Sequence, residues 1–167
     1  MHIMHHAGLE TLRQLQSRLT NGQLEVQGAE GYIEVESFTF NPGATPEELA
    51  RLPKETPNEI LHFLSVHNGA RLYFTPDGGG GFELFTIGDI LTYIPIWECP
   101  PGFIPIGAGP DGEWLVCESI SEDDNRMWTG EFLTYEDPDF ERLPFSFLRW
   151  LDYLIVAQGT MYWDWFR

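Results

Sequence analysis

The feature that most constrains the fold is a series of short, strand-like segments joined by tight turns in the second half of the chain. Turns this short join antiparallel neighbours, because parallel strands need a long crossover connection. The series therefore predicts a mainly antiparallel sheet. Its segments are residues 72–74, 82–85, 103–106, 114–118 and one or two further strands within 127–135.

Helical spacing of apolar residues predicts an amphipathic helix at each end of the chain. The first helix carries leucines at positions 9, 12, 15 and 19 and is expected to end near Asn21. In the closing helix, Gly159 provides the stop signal. The residues expected to form the buried face of that helix are Phe147, Leu148, Leu151, Leu154 and Ile155.

Two further helices are predicted where the sequence Thr-Pro-x-Glu occurs, at residues 45–48 and 56–59. In each, the threonine hydroxyl and the glutamate carboxylate are expected to satisfy free backbone N–H groups, as in a capping box. The first of these helices is short and ends by Pro53, and the second runs to about His67. Both are expected to flank the sheet.

Residues 24–40 have strand character, and their apolar pattern changes phase near Ser37, which predicts a bulge or two short strands. No linker, internal repeat or low-complexity tract divides the chain. We therefore predict one α+β domain over residues 1–167, with a mainly antiparallel sheet flanked by helices. The aromatic tail, residues 161–166, is expected to pack on the core or to be buried in a partner.

The charge is strongly acidic: 9 Lys and Arg against 26 Asp and Glu give a formal net charge of −17. This balance argues against direct binding of nucleic acid or of an anionic membrane surface, both of which attract basic residues. It favours a partner of opposite charge, because complementary fields speed encounter. The alternative interpretation is solubility alone.

The two cysteines, Cys99 and Cys117, suit neither a disulfide framework nor a CxxC metal site, and both are predicted to be buried free thiols. The first seven residues hold no long apolar stretch, so neither a signal peptide nor a transmembrane helix is predicted. A cytoplasmic location is the resulting expectation.

The segment 107–112 matches the pattern GxGxxG, but strand-like residues follow it where a dinucleotide site needs a helix. Asp111 and Glu113 also place negative charge where phosphate would lie. A hairpin turn is therefore the favoured interpretation. The glycine run at 78–81 lacks the Lys-Ser/Thr of a P-loop and is likewise predicted to be a hairpin tip.

The acidic segments 122–124 and 137–141 lack the glycine and the distant glutamate of a calcium-binding loop, and are predicted to be solvated loops. His62 is expected to lie on a polar helix face, and His67 in the last turn of its helix. No GxSxG elbow and no local Cys–His pair is present in the sequence. We predict no catalytic residues, no metal site and no cofactor.

Several pieces of the chain occur in a characteristic order. They are Leu52-Pro53, a helix with Phe63-Leu64, Asn68-Gly69, residues 82–85 followed by Asp89-Ile90, a hairpin over 103–115, and a closing helix from Ser146. In this order they resemble the SUKH superfamily. The resemblance covers about residues 45–155 and leaves the N-terminal helix and strand region and the aromatic tail outside it.

Members of this superfamily include bacterial immunity proteins, which bind and neutralise a cognate toxin (often a nuclease or a deaminase), and a fungal regulator of cell-wall synthesis. The resemblance implies an α+β sheet flanked by helices and a binding module without catalytic machinery. It transfers no site residues, because the partner-binding surface differs between members.

We therefore predict an immunity protein that binds a basic protein toxin, as a monomer or a homodimer. A regulatory scaffold with several partners and a small-ligand-binding protein are the alternatives. Trp114 and Trp128 are possible aromatic anchors, although core packing is the favoured interpretation of both. The predicted acidic contacts are Asp111, Glu113, Glu122, Asp123, Asp124, Asp137, Asp139 and Glu141.

Overall fold

The computed structural model describes residues 7–28, 30–130 and 139–166. Within these ranges the chain is a single α+β domain with five α-helices and eight strands. The helices are α1 (Ala7–Arg18), α2 (Pro46–Leu49), α3 (Asn58–Val66), α4 (Ile87–Ile96) and α5 (Phe147–Val156). The strands are β1 (Gln23–Gln27), β2 (Ile33–Phe40), β3 (Ala70–Phe74), β4 (Phe82–Leu84), β5 (Phe103–Ala108), β6 (Trp114–Ser121), β7 (Asp124–Gly130) and β8 (Glu141–Arg142).

The eight strands form one sheet in which spatial order follows chain order, from β1 to β8. Every neighbouring pair is antiparallel. The antiparallel sheet predicted from the tight turns is therefore confirmed, and the longest turn-rich stretch supplies β3 to β7. Each strand pairs with the one before it because each connection returns the chain to the adjacent position.

The bulge predicted near Ser37 is present, since the register of β2 against β3 shifts between Ser37 and Thr39. The burial of the residues before the bulge does not match their hydrophobicity, however. Ile33 and Val35 are exposed, whereas Glu36 is buried beside Phe38. The face of β2 that meets the core thus carries a carboxylate, and this residue belongs to the candidate site described below.

Helices α1 and α5 pack along each other, and α5 also contacts α3 and β7. All five residues predicted to form the apolar face of α5 are buried, as are Leu12 and Leu15 of α1. Helix α4 packs on the opposite face of the sheet. Its C-cap residue Trp97 stacks on Trp114 of β6. Trp114 and the next residue, the core residue Leu115, point to opposite faces of the sheet because side chains alternate along a strand.

The capping box predicted at residues 45–48 is confirmed, because Thr45 and Glu48 exchange side-chain hydrogen bonds with each other's backbone N–H. The one predicted at 56–59 is wrong. The N-cap of α3 is Pro57, whose side chain accepts no hydrogen bond, and the Thr56 hydroxyl donates to the carbonyl of Pro53. Glu59 instead accepts a hydrogen bond from the backbone N–H of Leu148, in α5.

The aromatic tail packs on the core, which was one of the two predicted alternatives. A 3-10 helix (Tyr162–Phe166) follows α5, and Tyr162 and Trp163 are buried in it. The Tyr162 hydroxyl donates a hydrogen bond of 3.0 Å to the carbonyl oxygen of Trp150. The ring of Trp163 lies edge-on to that of Phe82, with 6.1 Å between centroids.

Both cysteines are free thiols, as predicted. Cys117 is buried, and this burial raises the pKa of its thiol well above the ordinary value. Cys99 is only half-buried, so the prediction of burial is wrong for it. Across the described ranges, no helix combines the length and the apolarity that crossing a membrane requires.

Candidate functional site

The acidic residues predicted from the sequence lie at two opposite ends of the sheet. Asp111 and Glu113 lie in or beside the β5–β6 turn, where Asp139 also lies, next to Gly130. The segment 122–124 forms the turn at the other end of β6. Eight residues of β6 separate the two ends, a distance of roughly 23 Å at the usual rise of a strand. The predicted contacts therefore do not form one surface. Asp137 lies outside the described residues, and Glu141, in β8, pairs with Thr129 of β7, so the loop predicted at 137–141 is wrong at its C-terminal end.

The turn at 122–124 is fastened to the start of α3. Asn58 donates from its side-chain amide to the carboxylate of Asp123 and from its backbone N–H to the carbonyl of Glu122, both over 2.9 Å. Asp124 forms an ion pair with Arg126. Glu122 and Asp123 thus remain exposed on a rigid turn, whereas the charge of Asp124 is partly neutralised.

The two candidate aromatic anchors are half-buried and contact other rings of the chain. Trp114 stacks on Trp97 with 4.2 Å between centroids and 6° between planes. Trp128 packs against Phe140, at 5.2 Å, and its indole N–H donates to Glu118 Oε1 over 3.0 Å. Packing within the chain, the favoured interpretation of both residues, accounts for these contacts.

The GxGxxG segment is a hairpin turn, as predicted, because it joins β5 to β6 and no helix begins in it. Gly109 donates its backbone N–H to the carbonyl of Glu113 over 2.8 Å. The carboxylate of Glu113 folds back and accepts a hydrogen bond of 2.9 Å from the N–H of Asp111. The turn therefore directs a carboxylate to the place that a phosphate would take in a dinucleotide site.

Next to this turn, two adjoining cavities of about 220 and 500 Å³ follow the segment after α5. Met161 and Asp164 line both, so we treat them as one site and call it the C-terminal groove. None of its described lining residues is a lysine, arginine or histidine. Its carboxylates are Glu34, Glu36, Glu113, Asp139 and Asp164.

Glu36 is the most unusual residue of the groove. It is 8% exposed, and its Oε2 atom is buried without a hydrogen-bond partner among the described residues. Burial raises the pKa of this carboxyl above its ordinary value of 4.5, and the neighbouring Glu34 raises it further through its charge and a side-chain hydrogen bond. A buried carboxyl group with an oxygen that lacks a partner is costly, and such a group is typical of sites that receive a ligand or a partner.

The smaller cavity of the groove also contains an unsatisfied polar group. Thr129 is 1% exposed, and its hydroxyl is buried without a hydrogen-bond partner in the described part of the chain. Glu113, which is 9% exposed, lines the same cavity. The groove therefore combines five carboxylates with two buried side-chain groups, those of Glu36 and Thr129, that each have an oxygen without a described partner. A basic, hydrogen-bond-donating surface complements this chemistry.

Of the groove's carboxylates, only Glu113 and Asp139 were predicted as contacts from the sequence. Glu34 and Glu36 alternate with Ile33 and Val35, a pattern typical of a strand with one solvated face. Asp164 lies in the aromatic tail, whose position on the sheet is a tertiary property. The available signal for Glu36 was strand alternation, because Glu36 lies two residues before Phe38 and both are buried on β2.

Two proteins of Bacillus subtilis (strain 168) are similar to this chain. The uncharacterized protein YnaB is 27% identical over 142 residues, which cover 79% of this chain and 90% of YnaB. The uncharacterized protein YobM is 30% identical over 121 residues, which cover 65% of this chain and 62% of YobM. No family model matches the chain. Since neither relative's name states an activity, the functional argument rests on the groove.

Proposed function

We propose that this protein is a non-catalytic binding module, an immunity protein that binds and neutralises a cognate bacterial toxin with a basic surface. The observation that carries the proposal is the C-terminal groove, where five carboxylates line two adjoining cavities and no described lining residue is basic. The net charge of −17 extends this field over the whole molecule. A toxin that acts on nucleic acid presents a basic groove to its substrate, and an acidic protein surface complements that groove.

The resemblance of residues 45–155 to the SUKH superfamily supports the same proposal, because that superfamily includes immunity proteins. The proposed site of action is the cytoplasm, where a nuclease or deaminase toxin meets its substrates. Inhibition then follows from occupying the toxin's substrate groove. It requires no cofactor and no catalytic residue of this chain.

The first test is co-purification with the product of the adjacent gene, at low and at high salt. A stable one-to-one complex whose association slows as salt increases is the expected result, since salt screens the attraction between opposite charges. Absence of a complex at both salt concentrations would contradict the proposal.

A matched pair of variants then locates the interface. Glu34→Gln with Glu36→Gln removes two charges from the groove, and Glu122→Gln with Asp123→Asn removes two from the turn at the opposite end. The groove pair is expected to weaken the complex by about 100-fold, as when charges are lost from the centre of an interface. The turn pair is expected to slow association by only about twofold, through the net charge. The reverse order would move the interface to the turn.

The second candidate, a regulatory scaffold, is favoured by the separation of acidic residues into two ends of the sheet. Two distant acidic surfaces suit two partners. A pull-down from the native host distinguishes the candidates, because a scaffold retains several weakly bound proteins and an immunity protein retains one that resists washing.

A further inference from the structure

The larger cavity of the C-terminal groove has a composition that suits one kind of guest. Its walls include the apolar residues Val26, Phe82 and Met161. Glu34 and Glu36 supply carboxylates to the same cavity. We call this cavity of about 500 Å³ the Glu36 pocket. Apolar walls beside two carboxylates match a group that has a positive charge at the end of an apolar stem.

The two carboxylates are adjacent because of strand geometry. Glu34 and Glu36 are two residues apart on β2, so their side chains lie on the same face of the sheet. Glu36 is more than nine-tenths buried, and its Oε2 has no donor among the described residues. Two carboxylates side by side, one of them desolvated, repel each other. A bound cation between them offsets that repulsion and neutralises one of the two charges.

The surroundings favour an organic cation over a metal ion. No group of three or more His, Cys, Asp or Glu side chains in the described ranges has the arrangement to hold a metal. A guanidinium group presents several N–H donors in one plane and can bond two carboxylates at once. An ammonium group is a compact point charge that bonds them less specifically.

We infer that the Glu36 pocket receives a basic side chain, with arginine favoured over lysine, from the protein that binds the C-terminal groove. This inference rests on the proposed function, since it names the residue type that the toxin inserts. The guanidinium group would bond the exposed Glu34 carboxylate, and a turn of the Glu36 side chain toward the cavity would bring its buried Oε2 into the same contact. The aliphatic stem would lie along Val26 and Phe82, which line the cavity.

The test uses the full chain and does not require the toxin. The probe is the peptide acetyl-Gly-Gly-Arg-Gly-Gly-amide, with the uncharged citrulline peptide as its control. Agmatine, which has the same guanidinium and stem with an ammonium group in place of the peptide backbone, tests a free small-molecule source of the cation. Binding is measured from the shifts of backbone amide NMR signals during titration. The expected signals to shift are those of Val26, Glu34, Glu36 and Gly159.

The arginine peptide is expected to saturate these shifts, and the citrulline peptide is not. Glu36→Gln is expected to weaken peptide binding by about tenfold, which corresponds to the loss of one charge-assisted hydrogen bond. Glu122→Gln removes the same charge from the distant turn and is expected to leave binding unchanged. The lysine peptide is expected to bind more weakly than the arginine peptide.

Three results would overturn the inference. They are equal signal shifts with the arginine and citrulline peptides, equal affinity of the Glu36→Gln and Glu122→Gln variants for the arginine peptide, or saturation by agmatine but not by the arginine peptide. The last would assign the pocket to a small cation. These failures are separable from failure of the proposed function. If the arginine peptide binds but no toxin complex forms, only the immunity role falls. If the toxin binds and neither the peptide nor Glu36→Gln has an effect, only the pocket falls.

Discussion

The side-chain oxygen of Asn125, in β7, accepts a hydrogen bond of 2.8 Å from the backbone N–H of Phe147, the first residue of α5. Glu59 of α3 accepts one of 2.8 Å from the N–H of Leu148, and Ser146 accepts one of 3.3 Å from that of Arg149. The first-turn N–H groups of a helix have no partner within it. Here, three of them are satisfied by side chains. Ser146 is the N-cap of α5 itself, whereas Asn125 and Glu59 tie α5 to the sheet and to α3.

Replacing Asn125 with alanine is expected to lower the free energy of unfolding by about 2 kcal/mol, because the Phe147 N–H is buried and loses its acceptor. The substitution also removes the buried Nδ2 atom of Asn125, which has no described hydrogen-bond partner, and this gain offsets part of the loss in stability. Ser146→Ala, which removes an exposed cap of the same helix, is expected to cost about 1 kcal/mol. Urea unfolding of both variants measures the difference, and equal losses would contradict the role assigned to Asn125.

The stability of the protein is expected to depend on pH through Glu36. Its pKa is raised in the folded state, first by burial and then by Glu34, so the folded state holds a proton that the unfolded state releases. Its contribution to stability is therefore full below the unfolded-state pKa and is lost as the pH rises through the raised, folded-state pKa. Above that range, ionised Glu36 destabilises the fold.

At a pH above this raised pKa, Glu36→Gln is accordingly expected to raise the free energy of unfolding by about 1 kcal/mol, the lower end of the cost of a buried acceptor without a partner. At a pH below 4.5, the ordinary pKa of the group, the variant is expected to be no more stable than the parent. Urea unfolding at the two pH values tests this. A gain of equal size at both values would show that ionisation is not the cause.

Local sequence signals predicted most elements because local chemistry decides them. The hairpins follow from turn residues, and the box at Thr45 and Glu48 needs only residues three apart. The same pattern failed at Glu59, whose partner Leu148 is 89 residues away along the chain. A carboxylate can accept a hydrogen bond from any free N–H that the fold brings close to it. The sequence does not show that the first turn of α5 lies beside Glu59.

The groove escaped prediction for the same reason. Its lining comes from several strands and from the segment after α5, which are distant in sequence. Of its carboxylates, only Glu113 and Asp139 lie in acidic, turn-like segments, which are the segments from which partner contacts were predicted. In the sequence, Glu36 resembles an ordinary solvent-facing glutamate. Its burial depends on a cavity lining that the fold assembles from segments distant along the chain.

The glycines of the GxGxxG segment are expected to matter for packing and not for nucleotide binding. A Cβ at Gly107 would overlap the carbonyl oxygen of Glu83 on the paired strand β4. Gly107→Ala is therefore expected to destabilise the fold by about 3 kcal/mol, at the upper end of overpacking. Gly112 has open space around it and φ of 85°, so Gly112→Ala is expected to cost about 1 kcal/mol from backbone strain alone.

Thermal unfolding of the two glycine variants, with and without a panel of nucleotides, measures both effects. The expected result is a larger loss for Gly107→Ala and no nucleotide-dependent shift in the parent protein. A nucleotide-dependent rise in melting temperature that both variants abolish would instead assign the turn to phosphate binding, against the carboxylate of Glu113 that folds into it.

Trp114 stacks on Trp97, which indicates a packing role, but it is only half-buried. Its exposed part could also contact a partner, and two variants distinguish the two roles. Trp114→Ala is expected to lower the free energy of unfolding by about 2 kcal/mol, below the range for fully buried tryptophan. Trp114→Phe retains a ring against Trp97 and is expected to recover about half of this loss. If Trp114 only packs, the folded Trp114→Phe variant binds the partner as the parent does. A drop of about 100-fold in affinity with little loss of stability would make Trp114 an interface anchor.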